Sequence, residues 1–194
     1  MTKTLAAIIW FVGLVAWYVI RHPFHRRAKK VGVRKSLLDW RERGLLAIGF
    51  LGLLVIPAIY VLTGFPASLD RPFIPWIAWL GLLPLIAALW LFRRSHVDLG
   101  RNWSITLEVR DQHTLVSTGV YRLIRHPMYF SFLLLGLGQA LLLPNWFAGM
   151  SGIVGAAILF ALRVSREERM MLEIFGEQYR AYMTNTKRIV PWIV

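Results

Sequence analysis

Long apolar runs separated by short polar segments dominate the pattern of this chain. The runs cover about residues 4–20, 44–63, 73–92, 128–143 and 145–162. Each is near the ~20 residues that an α-helix needs to cross the ~30 Å hydrocarbon layer of a bilayer, although the run at 128–143 is short. The pattern therefore predicts an all-α integral membrane protein with about five transmembrane helices.

The polar segments around the last runs predict their local structure. Only Leu-Pro-Asn-Trp, residues 143–146, separates the fourth run from the fifth, and this turn predicts a tight antiparallel hairpin. Residues 101–124 are too polar to span a bilayer, and their weak alternation predicts extended or irregular backbone. In the tail, Ser165 with the two glutamates that follow predicts the N-cap of a separate helix, which Gly176 interrupts.

Composition narrows the class of protein. The 194 residues are 57% hydrophobic, which is more than an ordinary soluble domain carries, and they include no cysteine. The chain therefore has no thiolate nucleophile, no disulfide and no Cys-ligated zinc. Its histidines also lack the spacing of known metal-binding helices, so we predict no metal site. The sequence contains no Gly-rich phosphate-binding motif, which excludes a Rossmann-type cofactor domain.

The formal net charge of +13 follows the predicted membrane topology. Residues 21–43, between the first two runs, are dense in Lys and Arg, whereas the next loop has only Arg71 beside Asp70. By the positive-inside rule, we predict that residues 21–43, 93–127 and the tail after 163 are cytoplasmic and that the N-terminus is outside. Since no nucleic-acid recognition module is present, we predict no nucleic-acid partner.

An Arg-His-Pro sequence occurs twice beside an apolar run. The first copy, at residues 21–23, merges into the basic segment, where orientation and snorkelling account for its charges. The second copy, Arg125-His126-Pro127, comes directly before the fourth run. Proline suits the first turn of a helix, whose free N–H groups attract a carboxylate. From these residues alone, a structural cap and a ligand site both stay open.

The fifth run ends in a charged segment, in which Arg163 and Glu167 are four residues apart. On a helix the two side chains share a face, so they either pair with each other or bind different ligand groups. In the second case Glu167 accepts hydrogen bonds from an ammonium or from hydroxyls, while Arg163 binds a carboxylate through its planar fork. The residues by themselves leave both interpretations open.

Three segments together resemble the isoprenylcysteine carboxyl methyltransferases, which are related to the phospholipid methyltransferases. They are HTLVSTGVYRLIRHPMY at 113–129, Asn-Trp at 145–146 and RVSREERMMLEIFGEQYRAYMTNTKRIVP at 163–191. The resemblance covers roughly residues 96–191. The length of the chain predicts one structural unit, in which residues 1–95 hold transmembrane helices 1–3. The resemblance implies that residues 96–194 hold the cofactor-binding segment, the helical hairpin and a cytoplasmic C-terminal helix.

The resemblance also implies an enzyme that uses S-adenosyl-L-methionine and releases S-adenosyl-L-homocysteine, with its cofactor pocket on the cytoplasmic side. Carried over position by position, the cofactor-binding residues are His113, Thr114, Leu115, Val116, Tyr121, His126, Pro127, Met128, Tyr129, Glu167 and Glu168. The catalytic residues are Arg163, which would face the carboxylate of the acceptor, and Arg125.

The implied reaction is carboxyl O-methylation of an isoprenylcysteine-like or other lipophilic carboxylate in the bilayer. Methyl transfer to a carboxylate depends on positioning and electrostatics and needs no strong base, whereas an amine acceptor needs a route for its proton. The alternatives are N-methylation of an aminophospholipid and S-methylation of a small thiol. Outside the methyltransferases, an NADPH-dependent membrane reductase and a non-catalytic membrane protein also stay open.

Overall fold

The computed structural model of the chain describes residues 1–28, 32–36, 38–104, 106, 108–110 and 114–190. Helices make up most of these ranges. The helices and strands are α1 (Lys3–Ala28), β1 (Val33–Ser36), α2 (Trp40–Phe50), α3 (Ile56–Thr63), α4 (Pro75–Leu80), α5 (Leu82–Leu99), β2 (Glu108–Arg110), α6 (Pro127–Leu142), α7 (Trp146–Phe175) and α8 (Glu177–Asn185).

Within the described ranges, four stretches of helix are long and apolar enough to cross a membrane. They are Lys3–Ala28, Trp40–Thr63, Pro75–Leu99 and Trp146–Phe175. The second stretch joins α2 to α3 through a π-helical turn, Leu51–Val55. α6 is a shorter apolar helix of 16 residues. The prediction of a helical integral membrane protein is therefore confirmed. Among the described residues, a short antiparallel pair of strands, β1 and β2, is also present, and the sequence pattern did not predict this pairing.

The predicted hairpin of α6 and α7 is present. Asn145 ends its turn and caps α7, because its side-chain oxygen accepts a hydrogen bond from the Ala148 backbone N–H at 2.9 Å. The two helices approach closely where both present glycine: a Cβ on Gly136 would lie 2.5 Å from the backbone nitrogen of Ile153. Small residues that allow such close contact are typical of helix packing in membranes.

The tail differs from its prediction. α7 continues unbroken from Trp146 to Phe175, so Ser165 lies inside a helix and the predicted N-cap at this position is wrong. Residues 163–175 contain no Gly or Pro, and extending an existing helix adds a hydrogen bond per residue whereas a new start requires nucleation. Gly176, with a φ of 50°, ends α7 before α8, which confirms the predicted interruption.

Candidate functional site

A cavity of about 940 Å³ lies between the helices, and its polar part is at the end of the bundle where α6 begins. Its wall consists of parts of α1, α2 with the π-helical turn that follows it, α5, α6, α7 and α8, and of the segment between α5 and α6. The wall includes most of the predicted site residues, namely Thr114, Leu115, Val116, Tyr121, Arg125, His126, Pro127, Met128, Tyr129, Arg163 and Glu167. A cavity of this size can hold a cofactor together with part of a second ligand.

Of the two remaining predicted residues, the structure describes only Glu168. His113 lies outside the described residues. Glu168 is 4% exposed and lies behind the wall, where it accepts hydrogen bonds from Arg125 Nε at 3.1 Å and Arg188 Nη2 at 2.7 Å. Its Oε1 is also 3.2 Å from His126 Nε2. Glu168 therefore connects residues of the wall to the tail.

The second Arg-His-Pro sequence is held in place by the tail. The backbone N–H of Arg125 donates to the Lys187 carbonyl at 2.8 Å, and that of His126 donates to the Arg188 carbonyl at 2.9 Å. The Arg125 guanidinium also donates to two carbonyl oxygens of the tail, those of Met183 and Thr186. Pro127 is the first residue of α6, as predicted. The tail thus fixes the backbone from which α6 starts.

Glu167 places a carboxylate at the polar end of the cavity. It accepts a hydrogen bond from the Tyr129 hydroxyl at 2.7 Å, and its Oε1 is 3.8 Å from His126 Nδ1. Because its side chain is still 30% exposed, Glu167 retains acceptor capacity for a ligand. Burial, followed by the nearby Glu167 carboxylate, raises the pKa of Tyr121 well above its usual value. Tyr121 therefore faces the cavity as a neutral phenol.

Arg163 lines the same cavity and is only 8% exposed. Its Nη2 lies 2.7 Å from Oε1 of Glu42, and its guanidinium is 5.9 Å from the centre of the Tyr129 ring. Arg163 and Glu167 each have a partner on another helix, which favours separate roles for the two side chains. Glu42 lies in the first turn of α2, and no pattern in the sequence relates it to α7.

The first Arg-His-Pro sequence also contributes to the wall, although its position suggested only membrane orientation. Arg21 lines the cavity, and its guanidinium is 5.0 Å from the centre of the Trp17 ring. His96 of α5 lines it as well, with Nδ1 donating to the Phe92 carbonyl at 2.8 Å. The sequence did contain a signal for both residues. Arg21 and His96 lie at helix ends that were predicted to be on the same side of the membrane as the second Arg-His-Pro sequence.

The other part of the cavity is apolar and lies between α1 and α2. Its wall is formed by Phe11, Leu14, Val15, Tyr18, Leu46, Phe50, Leu53 and Leu54. Phe11 is 58% exposed and Phe50 is 56% exposed, so both face the surroundings of the bundle as well as the cavity. In a bilayer those surroundings are lipid chains. The cavity thus joins charged groups at one end to an apolar groove that opens sideways into the membrane.

The family model of the isoprenylcysteine carboxyl methyltransferase (ICMT) family matches residues 79–173. Protein-S-isoprenylcysteine O-methyltransferase B of Arabidopsis thaliana is 31% identical over 120 residues, which cover 61% of each chain. A probable protein-S-isoprenylcysteine O-methyltransferase of Oryza sativa subsp. japonica is 28% identical over 190 residues, or 97% of this chain and 94% of the rice protein. The Homo sapiens protein-S-isoprenylcysteine O-methyltransferase is 30% identical over 122 residues, or 62% of this chain and 43% of the human protein.

A solved structure of the eukaryotic intramembrane Ras methyltransferase ICMT has a similar fold. It matches with a TM-score of 0.58 and 23% sequence identity, over 81% of this chain and 55% of that one. The chain therefore spans only part of several of its relatives, about three fifths in the case of the Arabidopsis protein. The matched segment 79–173 contains most of the polar wall of the cavity but leaves out α1 and α2.

Proposed function

We propose that the chain is a member of the isoprenylcysteine carboxyl methyltransferase family, to which it is similar over residues 79–173, and that it transfers a methyl group from S-adenosylmethionine to the carboxylate of a lipophilic or lipidated acceptor. One observation carries the proposal. A single cavity combines a polar end, which contains Glu167 and Arg163, with an apolar groove between two membrane helices. A water-soluble cofactor and a lipid-soluble acceptor can thus meet there from different sides.

The polar end suits the chemistry of S-adenosylmethionine. The Glu167 carboxylate can accept hydrogen bonds from the ammonium or the ribose hydroxyls of the cofactor. The start of α6 at Pro127 offers backbone N–H groups to the cofactor carboxylate. Thr114, Leu115 and Val116 provide a mostly apolar surface for the base. Bound S-adenosylmethionine supplies an electrophilic methyl group on a sulfonium.

Arg163 suits the carboxylate of the acceptor. Its guanidinium can donate two parallel hydrogen bonds to the two oxygens, which orients the nucleophilic oxygen and limits its motion. In the transfer a carbon–oxygen bond forms and the methyl–sulfur bond breaks, so the anionic acid becomes a neutral ester and the sulfonium becomes a thioether. No proton is released, and the wall needs no general base for this reaction.

We also propose that the polar end faces the cytoplasm. The basic segment that begins at Arg21 leaves α1 at this end, since Arg21 itself lines the cavity and Arg26 and Arg27 lie in the last turn of the helix. Basic segments next to membrane helices are retained on the cytoplasmic side. An isoprenyl chain would enter between α1 and α2 from the bilayer.

The test is titration calorimetry of S-adenosylhomocysteine into detergent-purified protein, followed by an assay of methyl transfer to N-acetyl-S-farnesylcysteine. We expect Glu167→Ala to lose most of the cofactor binding. Arg163→Ala should keep the binding but lose the transfer, because it retains the cofactor end of the cavity. The control is Arg122→Ala, which removes an exposed arginine from the segment between α5 and α6 and should change neither the cofactor binding nor the transfer. Well-folded wild-type protein that binds NADPH and not S-adenosylhomocysteine would overturn the proposal in favour of a reductase.

A further inference from the structure

We propose that Glu42 is the resident counter-ion of Arg163, which holds the guanidinium at the cavity wall while no acceptor is bound and competes for it with the acceptor carboxylate. The inference rests on the proposed role of Arg163 in binding the acceptor. Glu42 belongs to α2, outside the segment that matches the family model.

Glu42 is in contact with the cavity wall at Arg163 but is not part of the wall itself. Its side chain is fully buried, and among the described residues that line the cavity Arg163 is present but Glu42 is not. The distance of 2.7 Å between Arg163 Nη2 and Glu42 Oε1 is that of a close, buried ion pair. Glu42 is therefore a positioning residue and has no direct contact with a ligand in the cavity.

The first turn of α2 is attached to α7 at three neighbouring points, and Glu42 is the buried one. Asp39 caps α2 by accepting from the Glu42 N–H at 2.8 Å, and its other oxygen pairs with Arg166 at 2.7 Å. Arg41 donates to the Leu162 carbonyl at 3.3 Å. The Arg166 guanidinium and the cap hydrogen bond lower the pKa of Asp39 to about 2, so the neighbouring pair also stays charged. The backbone of Glu42 is thus fixed independently of Arg163.

The proposed reaction changes the charge beside Arg163. A buried arginine needs a counter-charge, since an unpaired ion away from water is costly. An acceptor carboxylate supplies that charge, but methylation converts it into a neutral ester, so Arg163 loses this partner when the product forms. Glu42 then provides the compensating charge. It weakens binding of the acid, because two carboxylates share one guanidinium, and it leaves the neutral ester without an ionic contact to break.

The expected effect of Glu42→Gln follows from this competition. The amide has nearly the shape of the carboxylate but no charge, so the acid would no longer share the Arg163 guanidinium with the Glu42 carboxylate. We expect the acid to bind about tenfold tighter than in the wild type, because two carboxylates that approach the same guanidinium repel each other appreciably in a partly buried site. The neutral ester should bind as before. The ratio of acid affinity to ester affinity should therefore rise.

The experiment measures equilibrium binding of N-acetyl-S-farnesylcysteine and of its methyl ester to detergent-purified protein saturated with S-adenosylhomocysteine. The variants are Glu42→Gln, Glu42→Asp and Arg166→Gln. Glu42→Asp keeps the charge but withdraws it by one methylene, so its ratio should lie between those of the wild type and Glu42→Gln. Arg166→Gln breaks the neighbouring ion pair between the same two helices, and we expect it to leave the ratio unchanged.

The outcomes separate this inference from the proposed function. If Glu42→Gln binds the cofactor normally but its ratio equals that of the wild type, or if its acid affinity falls, the role of Glu42 is overturned. If Glu42→Gln does not fold, an unchanged ratio in Glu42→Asp has the same meaning. If the folded wild type with cofactor neither binds the acid nor methylates it, the proposed acceptor is wrong, and the inference is overturned with it.

Discussion

The polar side chains of the candidate site are held by partners on other helices or on the tail. Tyr129 of α6 donates to Glu167 of α7, and Glu42 of α2 pairs with Arg163 of α7. Side chains that are already fixed lose little freedom when a ligand binds, so more of the contact energy appears as affinity. The site is in this sense preorganised at its carboxylate and at its guanidinium.

Replacing Tyr129 by Phe tests this arrangement at the cofactor end. The change removes the hydroxyl that orients Glu167 at 2.7 Å and keeps the ring in place. A hydrogen bond to a charged group contributes about 1.5–3 kcal/mol, so we expect S-adenosylhomocysteine to bind roughly tenfold or more weakly by calorimetry. Tyr18→Phe removes a hydroxyl from the apolar part of the same cavity and should leave the affinity unchanged. Equal affinities for wild type and Tyr129→Phe would show that Glu167 needs no such support.

Helix packing around the site depends on glycines that let backbones approach. A Cβ on Gly52 would lie 2.3 Å from the Ser151 carbonyl oxygen of α7. Gly52 belongs to the π-helical turn of the second membrane stretch, and its carbonyl accepts from Ser151 Oγ at 2.7 Å and from Gln139 Nε2 at 3.1 Å. A π-turn displaces a carbonyl from the regular helical pattern, and here two side chains satisfy it. The second membrane stretch, α6 and α7 are thereby joined at one point.

Gly136→Ala tests the contact of α6 with α7. Its Cβ would meet the backbone of α7 at 2.5 Å, so the helices must separate, and overpacking of this kind typically costs about 1–3 kcal/mol. We expect a lower melting temperature in detergent. The matched control is Gly44→Ala on α2, whose Cβ meets nothing within 4 Å. That change should stabilise the protein slightly, by about 0.5–1 kcal/mol, because alanine favours a helix. A Gly136→Ala variant as stable as the control would contradict the packing argument.

The molecule closes on the site from both ends of the chain. α1 and α2 supply the apolar groove and Glu42, while the tail after α8 runs beside the start of α6. Arg188 of the tail binds Glu168, and the buried Ile189 packs with Leu45 of α2. Segments far apart in the sequence thus meet around one cavity, so a change in the tail should be felt at the cofactor end.

Arg188→Ala tests that connection. The variant leaves Glu168 with Arg125 and His126 as its partners, and both of these line the cavity. The Arg188 side chain is 42% exposed, so we expect only a loss of about 1 kcal/mol or less, which is a several-fold weaker affinity for S-adenosylhomocysteine. Lys187→Ala, at the exposed neighbouring position, keeps the backbone contacts and should bind as the wild type does. Identical affinities for the two variants would show that the tail acts on the site only through its backbone.

Local patterns were sufficient for the membrane helices, the hairpin and the break at Gly176. A helix in hydrocarbon must satisfy its own backbone over a fixed length, so its signal lies in one continuous run of residues. The Arg-His-Pro sequence and the charged end of the fifth run likewise indicated residues that line the cavity, because each motif is short. The predicted roles of these residues stay predictions.

Contacts between distant segments could not be read from such patterns. The continuity of α7 through Ser165 was also not predicted, because the same residues allow either an N-cap or further propagation of the helix. The pairing of Glu42 with Arg163 and the position of Arg21 in the wall depend on how α1 and α2 pack against the later helices. A buried charged side chain acquires its partner only when the helices assemble. The sequence by itself therefore determined which charged residues are present, and only the tertiary structure decided which of them pair.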